Sequence, residues 1–215
     1  SLHDALPILY YYLQDHPDIE MAREHEADYF IAEKNWERGE AWYRSLFSGG
    51  REVRGDVSPN YSKAHCFPGV PQRMKELVPE AKLIYLVRDP IARIRSHYVH
   101  NYAARDETRS LHVAVTSPKP RENHYVQCSA YYWQIQQYRQ HFDDDQILVL
   151  VSEELRHARQ RTLKQLYQFL GVNQKQAEGQ AEQERHKSRV KRRKPLLDHK
   201  VNNRYIRAAL RPMLE

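Results

Sequence analysis

Cysteine is scarce in this chain: Cys66 and Cys128 are the only two in 215 residues. Two cysteines cannot staple a chain of this length, which excludes a disulfide scaffold. Both are expected to be free, buried thiols, and that favours a reducing, cytoplasmic setting. They lie far apart in the sequence, so linear spacing gives no metal-ligand pattern and no metal is expected. Long apolar runs are missing too, and nothing approaches the ~20 residues of a membrane span. No Gly-Lys-Ser/Thr appears, nor an acidic Mg²⁺ ligand at a strand end. That counts against a P-loop nucleotide kinase, which stays open only as an alternative.

Hydrophobic residues make up 40% and charged residues 29%, enough for one globular domain with a core. The formal charge of +6 inclines the chain toward anionic partners without choosing among nucleic acid, nucleotide and acidic glycan. Apolar runs at Leu83–Val87 and Gln146–Val151 have the pattern of parallel strands buried on both faces. Short strands are expected at Asp28–Ile31 and Val53–Val57. Helices are expected at Val70–Leu77, Ile91–Tyr102, Tyr125–Phe142, Gln160–Leu170 and Val201–Leu214. Residues 105–122 are polar and aperiodic and read as a surface loop. Strands alternating with helices predict an α/β fold: a central, mostly parallel sheet flanked by helices in three layers.

The segment Leu83-Ile-Tyr-Leu-Val-Arg-Asp-Pro-Ile-Ala-Arg-Ile-Arg-Ser-His-Tyr98 carries the most information. A buried strand ends on Arg88, turns at Asp89-Pro90 and enters a helix that holds Ser96. Ligands of open α/β sheets bind outside the carboxyl ends of the strands. A cation and a hydroxyl delivered there suit a phosphate. The plainer reading, a solvated basic helix start, is expected to cover Arg93 and Arg95. The run Arg185–Lys194 is a second basic feature. It reads as a solvated tail or a nucleic-acid contact, but aromatic interleaving is slight and no nucleic-acid module surrounds it.

The Arg88–Ser96 segment resembles the 3′-phosphate-binding motif of sulfotransferases that use 3′-phosphoadenosine 5′-phosphosulfate (PAPS). The resemblance runs from about Leu9 to about Val172. Glu26-Ala-Asp-Tyr-Phe30 is similar to a Lys-Glu-x-x-Phe/Tyr-Phe block of heparan sulfate and bacterial glycan enzymes, with His25 in place of the lysine. Arg38-Gly39, Trp42-Tyr43 and Phe47 follow the same pattern, as do Gly55-Asp-Val-Ser-Pro-Asn-Tyr61 and Ser129-Ala-Tyr131 with Gln134 and Tyr138. The resemblance implies a three-layer P-loop-like fold and transfer of a sulfuryl group from PAPS to a hydroxyl, on a carbohydrate. It implies Arg88 and Ser96 as 3′-phosphate ligands, with Ser129 and Tyr131 near the cofactor. Glu26 becomes the base on the acceptor hydroxyl and His25 a second candidate. Lys187 and Lys191 become cofactor contacts from a basic C-terminal loop. Nucleic acid is not the expected partner.

The family's Pro-Lys-x-Gly-Thr-Thr-type loop, which wraps the 5′-phosphosulfate, does not occur before Leu9. Ser1–Ile8 is what TCC CTA CAC GAC GCT CTT CCG ATC encodes, the end of a sequencing-library adapter. The expectation is that residues 1–8 are a read-through scar. Residues 9–215 would then be a single domain lacking its phosphosulfate loop, with weak or no activity.

Overall fold

The computed structural model describes residues 9–119 and 122–182. The expected scar at 1–8, Lys187, Lys191 and the expected Val201–Leu214 helix lie outside the described residues. The chain opens with helix α1 (9–14) and strand β1 (Ile19–Met21). Then come α2 (Gly39–Ser45), β2 (Val53–Gly55), α3 (Val70–Leu77), β3 (Leu83–Val87) and α4 (Pro90–Ala104). After these follow α5 (Leu111–Thr116), α6 (His124–Ser129), α7 (Tyr131–Arg139) and β4 (Ile147–Val151). Helices α8 (Glu154–His157), α9 (Arg159–Leu170) and α10 (Gln176–Glu182) complete it.

The described strands form two parallel pairs, β1 with β2 and β3 with β4. Leu83 faces Ile147 and the register continues to Val87 facing Val151. Parallel neighbours need a crossover, and α4 to α7 supply the one between β3 and β4. A cavity of about 650 Å³ separates the pairs. Consecutive residues Val53–Gly55 of β2 and Leu83–Leu86 of β3 line it. Side chains alternate along a strand, so consecutive lining means that strand edges, not a sheet face, border the cavity.

One core joins Leu9, Tyr12 and Leu13 of α1 to Ile19, Leu86, Leu150, Leu163, Leu166 and Tyr167. A second gathers Tyr29, Phe30, Ile31, Tyr61, Val70, Met74 and Phe142. A third packs Ile94 of α4 against Ala114, Val115, Tyr125 and Val126.

Several expectations are corrected. Asp28–Ile31 is a turn, not a strand, because its aromatic residues all enter the second core. The strand on that side is Ile19–Met21, which is too short to show periodicity. β4 is half-buried: Leu150 is covered but Val149 and Val151 are 42% and 37% exposed, since α9 packs on one face only. The long helix breaks at Ala130, whose ψ of 65° is not helical, and this separates α6 from α7. Residues 105–122 are not a plain loop. Arg105 closes α4 in the left-handed region, and Ser110 caps α5 through the Val113 N–H. The Glu107 carboxylate is buried against Arg109 and accepts from the Tyr125 hydroxyl at 3.1 Å. The Arg109 hydrogen bonds, against the cost of burial, hold the Glu107 pKa down at about 2.

Candidate functional site

The carboxyl ends of all four strands carry the polar residues. Beyond β3, Asp89 accepts from the Ala92 N–H at 2.6 Å and Pro90 fills the first helical position, so the chain turns sharply into α4. That turn leaves Arg88 at the rim. Its Nε and Nη1 are buried and have no hydrogen-bond partner among the described residues. Glu153, beyond β4, accepts from the Asp89 N–H at 3.3 Å. Burial opposes ionisation of Glu153, but backbone hydrogen bonds and the Arg88 charge hold its pKa below the usual range.

Arg93 is one helical turn into α4 and only 6% exposed, which corrects its expected place among solvated basic residues. Its Nη1 donates to the Ser129 hydroxyl at 3.2 Å, and its guanidinium lies 5.8 Å from the centre of the Tyr131 ring. The Arg93 Nε is buried without a hydrogen-bond partner among the described residues. Burial pushes the Tyr131 pKa up to about 12. Ser129 also donates to the Tyr125 carbonyl at 2.9 Å, so this hydroxyl positions Arg93. Ser96 is half-buried on α4. Two guanidinium groups with spare buried donors therefore flank one end of the sheet. Such donors are costly unless an acceptor arrives, and a phosphate is the fitting acceptor.

Beyond β1 and β2 lies an acidic counterpart. Asp28 is buried, pairs with Lys34 and accepts from Asn60 Nδ2 at 2.7 Å, while the Asp28 N–H donates to the Ser58 hydroxyl at 3.0 Å. Asp56 accepts from the Tyr61 hydroxyl at 2.6 Å. Burial, reinforced by the Asp28 charge, raises the Asp56 pKa to about 6 despite hydrogen bonds that lower it. Asp56 is a perturbed group that sequence reading missed; its signal was a carboxylate next to a strand-end glycine. His25 and Glu26 sit in the turn after β1 and are exposed. The His25 ring packs against Tyr10 with centroids 3.9 Å apart and the planes tilted by 43°. Glu26 and Asp28 have φ of 57° and 49°, a conformation costly for residues with a Cβ and common at functional turns. The structure thus gathers Arg88, Arg93, Ser129 and Tyr131 at one end of the rim and His25, Glu26 and Asp28 beyond the other pair.

A parallel α/β sheet with spare guanidinium donors at its carboxyl rim defines an anion-binding α/β protein of the nucleotide-handling kind. The model of the sulfotransferase domain family matches residues 2–205, and the chain belongs to that family. Its fold is the three-layer, P-loop-like sulfotransferase fold. It is 27% identical to the sulfotransferase of Alicyclobacillus acidocaldarius, whose crystal structure superposes with a TM-score of 0.67 over 80% of this chain and 77% of that one. It is 26% identical over 151 residues to the bifunctional heparan sulfate N-deacetylase/N-sulfotransferase 1 of Caenorhabditis elegans, covering 66% of this chain and 17% of that protein. The mouse heparan sulfate glucosamine 3-O-sulfotransferase 3B1 is 25% identical over 172 residues, 75% of this chain and 42% of its own. The chain therefore spans well under half the length of these curated relatives. Among the described residues no helix is long and apolar enough to cross a membrane.

Proposed function

We propose that this domain transfers a sulfuryl group from PAPS to a hydroxyl of a carbohydrate. The observation that carries the reading is Arg88: two buried guanidinium nitrogens without hydrogen-bond partners among the described residues, at the carboxyl end of β3. Arg88 and Ser96 would hold the 3′-phosphate, with Arg93 set by Ser129 and Tyr131. Lys187 and Lys191 would close over the same phosphate. Glu26, with His25 as the second candidate, would take the proton from the acceptor hydroxyl as its oxygen bonds to sulfur, while the bond from sulfur to the 5′-phosphate oxygen breaks and 3′-phosphoadenosine 5′-phosphate leaves. The donor supplies an activated sulfuryl group; positioning and charge stabilisation by the chain do the rest. The heparan sulfate relatives make an amino-sugar polymer the first acceptor to try.

A cytoplasmic location is proposed because neither cysteine is joined in a disulfide. The test is calorimetric titration of 3′-phosphoadenosine 5′-phosphate into this chain and into its Arg88→Ala variant. Transfer of labelled sulfate from PAPS to desulfated heparan sulfate is followed in parallel, with Glu26→Gln beside Asp28→Asn. Tight binding, with transfer lost about 10²–10⁴-fold in Glu26→Gln, is the expected result. No nucleotide binding by this chain, or binding unchanged in Arg88→Ala, would end the proposal.

A further inference from the structure

Both cysteines of the chain and three of its twelve histidines meet in one place, outside the anion site. His65 and Cys66 come from the turn that follows Pro59–Ser62, His97 from α4, and His124 and Cys128 from one face of α6 at i, i+4 spacing. His65 Nε2 lies 2.9 Å from His124 Nδ1, and Cys66 Sγ lies 3.6 Å from the same nitrogen. Cys128 Sγ lies 3.9 Å from His65 Nε2 and 3.8 Å from His124 Nδ1. The ligand atoms of His65, Cys66 and His124 are all within 4.8 Å of one another, and so are those of His97, His124 and Cys128.

A tetrahedral zinc with Zn–N of about 2.0–2.1 Å and Zn–S of about 2.3 Å sets its ligand atoms roughly 3.3–3.8 Å apart. Four of the six ligand-to-ligand distances in a set made of His65, Cys66, His124 and Cys128, those given above, fall within about 0.5 Å of that range. Two sulfurs and two imidazoles are the donor set that selects a thiophilic d¹⁰ cation over Mg²⁺ or Ca²⁺. We propose that His65, Cys66, His124 and Cys128 form a zinc site that ties the 63–67 turn to α6, with His97 packed beside it.

The surroundings suit that role. Gln134 of α7 holds the turn that carries the first ligand: its Oε1 accepts from the Ala64 N–H at 3.0 Å and its Nε2 donates to the Gln127 carbonyl at 3.0 Å. Cys128 directly precedes Ser129, the residue that holds Arg93. Zinc here is a brace, not a reactant: two S–Zn bonds form, two thiol protons leave to solvent, and nothing is oxidised or reduced.

The test uses the full chain, stripped of metal by chelator and kept reduced with a phosphine. Zn²⁺ is titrated calorimetrically in buffers of different ionisation heat, and Co²⁺ is added separately to read the sulfur-to-cobalt charge-transfer band. The expected result is one ion per chain, release of about two protons, and a tetrahedral cobalt spectrum. Zinc at a hundredfold excess over Kd should raise Tm by roughly 5–10 °C. Cys66→Ser and Cys128→Ser should each weaken binding at least tenfold and lose the cobalt band. His157→Ala, an exposed histidine elsewhere, should do neither. Because Cys66 is only half-buried, Cys66→Ser should melt like the metal-free parent, which separates lost binding from lost folding. No stoichiometric uptake, or uptake unchanged in the Cys66→Ser/Cys128→Ser double variant, would overturn the proposal.

Discussion

Replacing Arg88 with methionine should stabilise the free protein while abolishing its nucleotide site. In the fold, Arg88 Nε and Nη1 are out of water with no acceptor among the described residues. A buried unpaired donor costs about 1–3 kcal/mol, and methionine fills much of the same space with a flexible apolar chain. The loss of the attraction to Glu153 offsets part of that gain. Taking the low end, about 1 kcal/mol corresponds to roughly 2–4 °C for a protein of this size. Arg88→Met should therefore raise Tm by at least about 2 °C. The same change removes charge-assisted hydrogen bonds to the phosphate, worth about 1.5–3 kcal/mol each, so affinity for 3′-phosphoadenosine 5′-phosphate should fall at least tenfold. Thermal denaturation and calorimetry measure the two effects on one preparation. A lower Tm with an unchanged Kd would show that Arg88 is a structural residue and refute the reasoning.

Ser129→Ala takes the hydroxyl from Arg93 but leaves Arg88 untouched. Nucleotide affinity should drop about fivefold (roughly 1 kcal/mol) by calorimetry, less than for Arg88→Met; an equal or greater drop would count against Ser129 acting through Arg93. Asp56 has a folded pKa of about 6, raised from 3.8, so its contribution favours folding below pH 3.8 and is lost as pH rises through about 6. Asp56→Asn should remove that loss and gain up to about 3 kcal/mol at pH 8 in urea titrations; a destabilised variant at pH 8 would contradict the burial argument. Glu107 behaves oppositely. Its folded pKa of about 2 lies below 4.5, so its stabilisation is complete above pH 4.5 and disappears as pH falls through about 2. Glu107→Gln should lower Tm at pH 7 by about 4–8 °C (roughly 2 kcal/mol) and flatten the acid limb of the stability curve; an unchanged acid limb would show that Glu107 does not drive it.

Local pattern was enough for the parts of this protein whose physics is local. The apolar run Leu83–Val87 and the helix Val70–Leu77 stand in the structure with those bounds. Arg88 was legible as an anion ligand because strand, Asp-Pro turn and helix follow one another directly, and chain direction alone sends a strand-end residue to the ligand-bearing rim. The helix expected at Gln160–Leu170 does end at Leu170, where Gly171 follows with a φ of 81° that favours glycine.

Only the tertiary structure decided which charges are buried and what they meet. Arg93 and Arg95 are two apart on one helix, yet Arg93 is enclosed and Arg95 exposed, because Ser129 and Tyr131 arrive from a segment about 36 residues on. The Asp56 pKa rises to about 6 because the fold buries the carboxylate and brings the Asp28 charge near it. The His65–Cys66 and His124–Cys128 pairs are separated by 58 residues between Cys66 and His124, and linear spacing showed no metal pattern. Periodicity and turn chemistry report on neighbours in sequence. Desolvation and ligand geometry depend on neighbours in space, which the chain acquires only on folding.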